Sequence, residues 1–505
     1  MAADVALIAC ALVAGAMIVV PAPRARAALM LGAIIIAPAL LVAHVAGADQ
    51  LEGLSGRFEV IAAGVALAVA VALLLAWWFT RSPGAFPIAV VVTLPFRIPV
   101  SIGGATASLL LGLYLVVAGG AIAWLYPRLR GTADQEGRRP GGLEWTLAAV
   151  LVLYAVQSLW SSDPDRALEN ILFFYVPFAV GFVLLSGYAW TARLAARVLA
   201  VLAAMGVLLT AIGFVEFATR HLLLNPKVIA ANQVNDYFRV NSLFFDPNIF
   251  GRFLVVVIVL LVAWICWESR TRAVALGAAI VAFLFGGLLT TLSQSSYAAL
   301  LAGLAMIAAL RWSVRWTVGV IAVAAVVGAA ALAVGTGVLD GSRDASRVTS
   351  GRSGLVAGGA RLFADRPVGG WGSGSFAREY REAENVSAAR AASASHTIPV
   401  TVAAEQGVVG LAAYLVLLFF AFSRCLRGAR SGRDPAIRAG IAAAFTALFV
   451  HTLGYAAFLE DPLTWVLLAA ATAFGAAGPG APGEEKPAGA AASGGQGARR
   501  APGAP

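Results

Sequence analysis

Apolar runs of 18 or more residues recur along the chain, and they constrain its fold more than any other feature. A run of this length crosses the hydrocarbon core of a bilayer as a helix. Only 12% of the 505 residues are charged, about half the usual fraction of a soluble protein. The sequence therefore predicts an all-α polytopic membrane protein, a bundle of roughly 12–15 transmembrane helices with one long extracytoplasmic loop.

Fifteen candidate spans follow from these runs. They lie at about 5–21, 28–47, 59–80, 85–102, 106–126, 143–160, 168–187, 196–217, 248–266, 273–290, 294–310, 316–338, 398–421, 438–457 and 461–477. The predicted organisation is a transmembrane bundle at 1–338, an extracytoplasmic, periplasmic-side loop that carries the site at 339–397, C-terminal transmembrane helices at 398–477, and a disordered cytoplasmic tail at 478–505.

The distribution of arginine sets the orientation. Arginine-rich loops alternate along the chain with loops that are acidic or long, so one assignment places every basic loop on the same side. By the positive-inside rule that side is the cytoplasm. The net charge of +10 therefore reflects topology and indicates no nucleic-acid partner. The three cysteines are far apart in sequence and indicate neither a disulfide nor a metal site.

The longest polar stretch, residues 340–399, contains eight arginines and no lysine. A loop of that length inside a membrane bundle is usually functional or disordered. Residues 352–363 are predicted to form a helix that ends before Pro367, with Leu355, Leu362 and their neighbours as one apolar face. Such a helix lies on the membrane or docks on the bundle.

The arginines of this loop rank by their position on that helix. Arg352 falls on the apolar face, where a guanidinium needs an anionic partner such as a phosphate. Arg361 falls on the opposite face, toward water, and Arg366 ranks between the two. Arg378 and Arg381 are expected to touch only lipid headgroups.

A second outer segment, RVNSLFFDPNIFGRFL, adds further polar residues. Asp246 is positioned to cap the helix that follows, and Asn248 and Arg252 lie in its first two turns. Arg239 precedes an apolar run and is expected to meet the same anion as Arg352. The GWGSG run lacks the Lys-Ser/Thr pair of a phosphate-binding loop, so no nucleotide site is predicted.

Histidine and glutamate supply the candidates for proton transfer. His396 stands between the arginine-rich loop and the next span, and imidazole can take a proton from a hydroxyl near neutral pH. Glu405, nine residues on, either orients the site or makes a hydrogen bond that packs helices. His451 lies within a span before Gly454 and Tyr455 and is interpreted as a supporting residue at most.

Four segments of the chain resemble the O-antigen ligase and O-antigen polymerase family of bacterial membrane glycosyltransferases. They are RVNSLFFDPNIFGRFL (239–254), TTLSQSSYAALLAGL (290–304), GRSGLVAGGARLFADRPVGGWGSGSF (351–376) and SHTIPVTVAAEQGVVGL (395–411), in the order that the family shows. The later HTLGYAAFLEDPLTW (451–465) is also similar. Gln294 stands where the family usually has arginine, and Thr397 where it usually has asparagine.

The resemblance implies transfer of a glycan from an undecaprenyl-type polyprenyl-diphosphate carrier to a hydroxyl acceptor. The acceptor is a lipid core, a glycan or a protein, and the reaction belongs to cell-surface polysaccharide or lipopolysaccharide synthesis at the bacterial inner membrane. The resemblance implies neither a cofactor nor a metal. The expected catalytic residues are His396, Arg352 and Arg239, and the expected diphosphate- or substrate-binding residues are Arg366, Arg361, Arg252, Asn248 and Glu405.

Three alternatives remain open from the sequence. The chain is either a ligase or a polymerase of lipid-linked repeat units in the same family. A secondary transporter of an anionic solute predicts charges near the bilayer midplane in broken helices. A structural partner in an envelope assembly leaves the arginines and His396 unexplained.

Overall fold

A computed structural model describes most of the chain. The described residues are 2–47, 58–96, 98–102, 105–131, 139–224, 226–234, 237–315, 317, 352–387, 397–430, 432, 434–455 and 457–476. The predicted span at 316–338, the start of the long loop, His396 and the C-terminal tail therefore lie outside the described residues, apart from Thr317.

The first half of the described chain is helical except for one hairpin. Its elements are α1 (Ala2–Val19), α2 (Pro23–Gly47), α3 (Phe58–Arg81), α4 (Ala85–Thr93), β1 (Ile98–Ile102), β2 (Ala105–Leu109), α5 (Leu111–Leu129), α6 (Gly142–Gln157), α7 (Pro164–Asn170), α8 (Val176–Ser186) and α9 (Ala192–Thr219). A π-helical turn at Ile171–Tyr175 joins α7 to α8, so these two helices form one apolar span.

The second half carries the segments that resemble the family. Its elements are α10 (Pro226–Val234), α11 (Pro247–Trp267), α12 (Thr271–Thr291), α13 (Gln294–Arg311), α14 (Arg352–Asp365), α15 (Phe376–Glu384), α16 (Ile398–Leu426), α17 (Pro435–Thr452) and α18 (Pro462–Ala476). Among the described residues, 10 helices are long and apolar enough to cross a membrane, and Asp4–Val19 and Pro462–Gly475 are shorter apolar helices. The predicted class, an all-α polytopic membrane protein, is confirmed.

The predicted span at 85–102 is wrong in detail. Helix α4 has only 9 residues, a length of about 14 Å, which is too short to cross a bilayer. The chain then forms an antiparallel hairpin in which Ile98 pairs with Leu109 and Ile102 with Ala105. Pro95 and Pro99 explain the change, because proline removes helical donors and β-branched neighbours favour strands.

Helix α11 lies at the centre of the second half. Phe250, Phe253, Leu254 and Val257 are almost completely buried, and the helix packs against α12, α13 and α17. Gly251 permits the closest approach, since a Cβ atom there would come 2.5 Å from the hydroxyl of Ser296. Helix α11 therefore positions polar side chains against the start of α13.

The two ends of the bundle differ in chemistry. At one end, arginines tie helix ends together: Arg424 pairs with Glu144 at 3.2 Å and Arg311 donates to the Cys266 carbonyl at 3.2 Å. The opposite end collects α14, α15, the starts of α11, α13 and α16, and the end of α17. The basic loops therefore gather at one end, as the alternation of charge predicts.

Candidate functional site

Eight polar side chains form a continuous network at the end of the bundle opposite the basic loops. We call it the polar network, and it consists of Arg239, Asn248, Arg252, Ser293, Ser295, Ser296, His451 and Asp461. Its members come from the segment before α11, from α11, from the start of α13, from α17 and from the residue that precedes α18.

Arg239 lies at the outer edge of this network. Its guanidinium donates from Nε to the Thr291 carbonyl at 2.8 Å and from Nη2 to Asn248 Oδ1 at 3.0 Å. Asn232 of α10 binds the Arg239 backbone on both sides, at 2.9 and 3.1 Å. Asp246 caps α11 and accepts from the Asn248 amide at 2.6 Å, as the sequence predicts. These contacts fix the guanidinium while Arg239 stays only partly buried.

Three serines connect Asn248 to His451. Ser293 caps α13, and its hydroxyl donates to Asn248 Oδ1 at 2.8 Å. The Ser296 hydroxyl donates to Ser293 Oγ at 2.8 Å. Ser295 and Ser296 both lie 3.2 Å from His451 Nε2. All three hydroxyls are buried, so the chain of hydrogen bonds is shielded from water.

His451 is buried and held between these serines and Arg252. Arg252 Nε donates to His451 Nδ1 at 3.2 Å. Because arginine is only a donor, Nδ1 must be the accepting nitrogen, which assigns the proton of a neutral ring to Nε2 and makes Nε2 the donor to the serines. Arg252 is 2% exposed and forms an ion pair with Asp461. The buried pair therefore fixes the imidazole and polarises the hydrogen-bond chain that leads to Arg239.

A second cluster forms where the glycine-rich turn at 367–374 docks on α16. Gly407 interrupts the helical geometry of α16 with φ of 64°, and the Val408 amide donates to the Pro367 carbonyl at 2.7 Å. The Gly372 amide donates to the Glu405 carbonyl at 2.8 Å, and the Ser373 hydroxyl donates to the Tyr154 carbonyl at 2.8 Å. The turn is therefore fixed to both α6 and α16.

Glu405 holds this turn with both carboxylate oxygens. Oε2 accepts from the Gly374 amide at 3.0 Å and Oε1 from the Phe376 amide at 3.1 Å. The side chain is buried beneath the turn. The carboxylate therefore positions the glycine turn through the backbone amides of Gly374 and Phe376, and its role at the site stays a prediction.

Helix α14 docks on the bundle through the face that the sequence indicates. Leu362 is buried with Phe376 and Tyr380, and Gly359 lies against Val400, although Val356 of the same predicted face is 40% exposed. The predicted helix at 352–363 is confirmed as Arg352–Asp365. Arg352 begins this helix, and its side chain lies outside the described residues.

The two other ranked arginines of the loop have local partners. Arg361 faces water, as predicted, and pairs with Glu384 at 2.5 Å. Hydrogen bonding to Glu384, together with its charge, raises the pKa of Arg361. Arg366 is exposed and its guanidinium lies 3.9 Å from the centre of the Trp371 ring.

The structure thus joins Arg239 directly to Asn248. From Asn248 the hydrogen bonds continue through the serines and His451 to Arg252. Glu405, Arg361 and Arg366 belong to the glycine-turn region, and His396 lies outside the described residues. Sequence reasoning assigned no site role to four of the eight network members, Ser293, Ser295, Ser296 and Asp461, and it ranked His451 low. The signal was the presence of the TTLSQSSY and HTLGYAAFLED segments among those that resemble the family.

An apolar cavity of about 480 Å³ reaches from the basic end of the bundle toward the polar network. It lies between α4, α9, α11, α17 and α18, with Trp267 and Pro435 at the basic end. Phe253 and Leu463 line the cavity near the network. Phe253 directly follows Arg252 in the sequence, and Leu463 comes two residues after Asp461. The cavity therefore offers a long hydrocarbon chain a path that ends beside the polar side chains.

Apolar spans and a polar site assembled from several of them define a multi-pass membrane protein. Residues 279–415 match the family model described as O-Antigen ligase, and this match confirms the resemblance to the O-antigen ligase and polymerase family. The matched stretch includes the three serines of the polar network, α14, the glycine turn and Glu405. No curated protein matches the chain.

Proposed function

We propose that this protein is a membrane glycosyltransferase that moves a glycan from a polyprenyl-diphosphate carrier to a hydroxyl acceptor at the outer face of the bacterial inner membrane. The observation that carries the proposal is the family match at 279–415, which includes the three serines of the polar network. The network supports it by holding Arg239 at the end opposite the basic loops. A site at that end fits a reaction outside the cytoplasm, because basic loops mark the cytoplasmic side.

The chemistry requires a cationic site for the leaving group. The acceptor oxygen bonds to the anomeric carbon, the bond from that carbon to the diphosphate oxygen breaks, and negative charge develops on the diphosphate. Arg239 and Arg352 stabilise that charge, and a guanidinium that is held in place costs no reorganisation when the charge forms. The contacts of Arg239 with Thr291 and Asn248 support its part in this role.

His396 takes the proton of the acceptor hydroxyl in this proposal, or positions that hydroxyl. A general base whose pKa lies near the operating pH accelerates such a transfer by roughly 10²–10⁴-fold. The polyprenyl chain occupies the apolar cavity that ends near Phe253 and Leu463, since apolar side chains make up most of its wall. Arg361 lies in α14 and Arg366 directly follows this helix, and in this proposal both contact the sugar-diphosphate from the water side.

The test is transfer by the purified full chain, reconstituted in liposomes with a lipid-linked glycan and a hydroxyl acceptor. We expect H396A and R352A each to lower the rate by about 100-fold or more while the protein remains folded and monodisperse. The matched control is R381A, since Arg381 is an exposed arginine of the same loop for which no such role is expected. Full activity of both H396A and R352A contradicts the mechanism.

The glycan profile of a deletion strain separates the two activities within the family. Accumulation of lipid acceptor without its glycan indicates a ligase, whereas single repeat units in place of polymer indicate a polymerase. Uptake of a radiolabelled anionic solute into the same liposomes, without turnover of the lipid-linked glycan, supports a transporter instead.

A further inference from the structure

A second cavity lies at the basic end of the bundle, far along the helices from the polar network. It has a volume of about 570 Å³ and is enclosed by the ends of α3, α5 and α8 and the starts of α4 and α9. Phe79, Phe86, Trp124, Leu184 and Leu194 supply most of its apolar wall. These helix ends lie where lipid headgroups meet hydrocarbon in a protein of this topology.

Three arginines line this cavity together with the apolar wall. Arg193 and Arg197 stand four residues apart, on one face of the first turns of α9, and Arg128 lies in the last turn of α5. No acidic residue is among those that line the cavity within the described part of the chain. None of the three guanidiniums forms an ion pair with a described residue.

Arg128 is held in place without using all of its donors. Its guanidinium lies 4.0 Å from the centre of the Trp124 ring and donates from Nη1 to the Trp124 carbonyl at 3.0 Å. A guanidinium has five N–H donors, so others stay available to a ligand. Because Arg128 lines the cavity, these remaining donors can bind a phosphate there, and a guanidinium can do so with two parallel hydrogen bonds.

Positive-inside topology alone does not explain this arrangement. It requires arginines at this end of the bundle, but not that they converge on a cavity. Several arginines elsewhere at the same end are bound to protein groups: Arg270 pairs with Glu268 at 2.9 Å and Arg424 with Glu144 at 3.2 Å. The three arginines of the cavity lack such carboxylate partners among the described residues, which favours an anionic ligand from outside the chain.

We propose that this cavity binds an anionic phospholipid of the cytoplasmic leaflet. Its phosphate is bound by Arg128, Arg193 and Arg197, and the upper part of an acyl chain lies on Phe79, Phe86 and Leu194. Basic pockets between transmembrane helices on the cytoplasmic side suit such headgroups. The apolar wall distinguishes the ligand from free phosphate, which gains nothing from hydrocarbon contact. The inference is independent of glycan transfer.

The experiment measures lipid binding to the purified full chain. Native mass spectrometry of the protein, titrated with phosphatidylglycerol in detergent, gives the affinity of each bound lipid. We expect R193Q/R197Q to weaken the tightest site by roughly 30-fold, the effect of removing two basic residues near an anionic headgroup. R272Q/R315Q is the matched control, because it removes two exposed arginines at the same end of the bundle but outside the cavity.

Two comparisons identify the source of the anion. Phosphatidylcholine has the same phosphodiester but no net charge, and we expect it to bind at least about 10-fold more weakly than phosphatidylglycerol. Inorganic phosphate at millimolar concentration should not displace the bound lipid. Equal binding of the two lipids, equal loss in both double variants, displacement by phosphate, or unchanged binding to R193Q/R197Q each overturns the proposal.

Discussion

Arg252 and Asp461 show how a full charge is accommodated inside an apolar bundle. The guanidinium is 2% exposed and contacts a carboxylate and an imidazole, with the Tyr455 ring 5.4 Å away. Removing one member of a buried ion pair leaves the other unpaired at low dielectric, which costs more than the pair contributes. These contacts support a role for Arg252 in positioning His451, and its predicted role as a substrate ligand stays a prediction.

Replacing Asp461 by asparagine tests that role. Asp461 also accepts from the Leu463 amide at 2.9 Å at the start of α18, and asparagine keeps that hydrogen bond while it removes the charge. We expect D461N to destabilise the protein by about 3–5 kcal/mol, measured by thermal unfolding in detergent. The double variant R252M/D461N should recover part of the loss.

The control for this prediction is an exposed pair. E384A breaks the Arg361–Glu384 ion pair, in which Arg361 is 61% exposed, and solvent screening leaves it little to contribute. If D461N unfolds at the same temperature as the wild type, Arg252 does not depend on this carboxylate.

At the scale of elements, the glycine turn and the kink of α16 form one interlocked unit. Gly407 has φ of 64°, and a Cβ atom there would overlap the Val368 carbonyl, so the position requires glycine on two counts. The turn directly follows α14, and Glu405 binds its far end through the amides of Gly374 and Phe376. The placement of α14 over the bundle therefore depends on a backbone feature within a transmembrane helix.

Substitution of Gly407 should loosen that unit. Gly407 has φ of 64° and ψ of −163°, a backbone region that essentially only glycine occupies. A side chain there costs about 1–3 kcal/mol in strain, and the overlap with Val368 adds to it. We expect G407A to lower glycan transfer and to expose the loop to limited proteolysis. G354A is the matched control, because Gly354 lies in α14 with open space around its Cα and alanine favours helix. Equal protease resistance of G407A and G354A would contradict the interlock.

At the scale of the whole molecule, charge and polarity separate to the two ends of the bundle. The basic end contains the cavity with Arg128, Arg193 and Arg197, and the opposite end contains the polar network and the glycine turn. Both proposals depend on this polarity, since one places a phospholipid at the cytoplasmic leaflet and the other places glycan transfer at the outer one.

Cysteine accessibility tests the orientation. In a background with Cys10, Cys266 and Cys425 replaced by alanine, we expect a cysteine at Glu382 to react with an impermeant maleimide in intact spheroplasts. A cysteine at Arg272 should react only after permeabilisation, because it lies at the basic end. Both positions are exposed, so the difference reports the side of the membrane. The reverse pattern would invert the molecule and contradict both proposals.

What could be predicted from the sequence is local. Hydropathy over 18 residues located most spans, Asp246 at the start of α11 marked a cap, and the spacing of Leu355, Gly359 and Leu362 indicated the docked face of α14. Where two prolines fell within an apolar run, hydropathy alone predicted a span that the structure replaces with a short helix and a hairpin. The orientation and the roles of His396 and Arg352 stay predictions.

The sequence by itself indicated that this chain crosses a membrane many times and that its basic loops share one side. The first depends on hydropathy within each segment, and the second depends on the alternation of basic loops with acidic or long ones along the chain. Only the tertiary structure decided that His451, 199 residues after Arg252, joins it to the serines of α13. No rule of periodicity specifies which helices become neighbours. That choice depends on packing of the whole bundle, such as the close approach at Gly251, so the network became visible only when the helices were placed side by side.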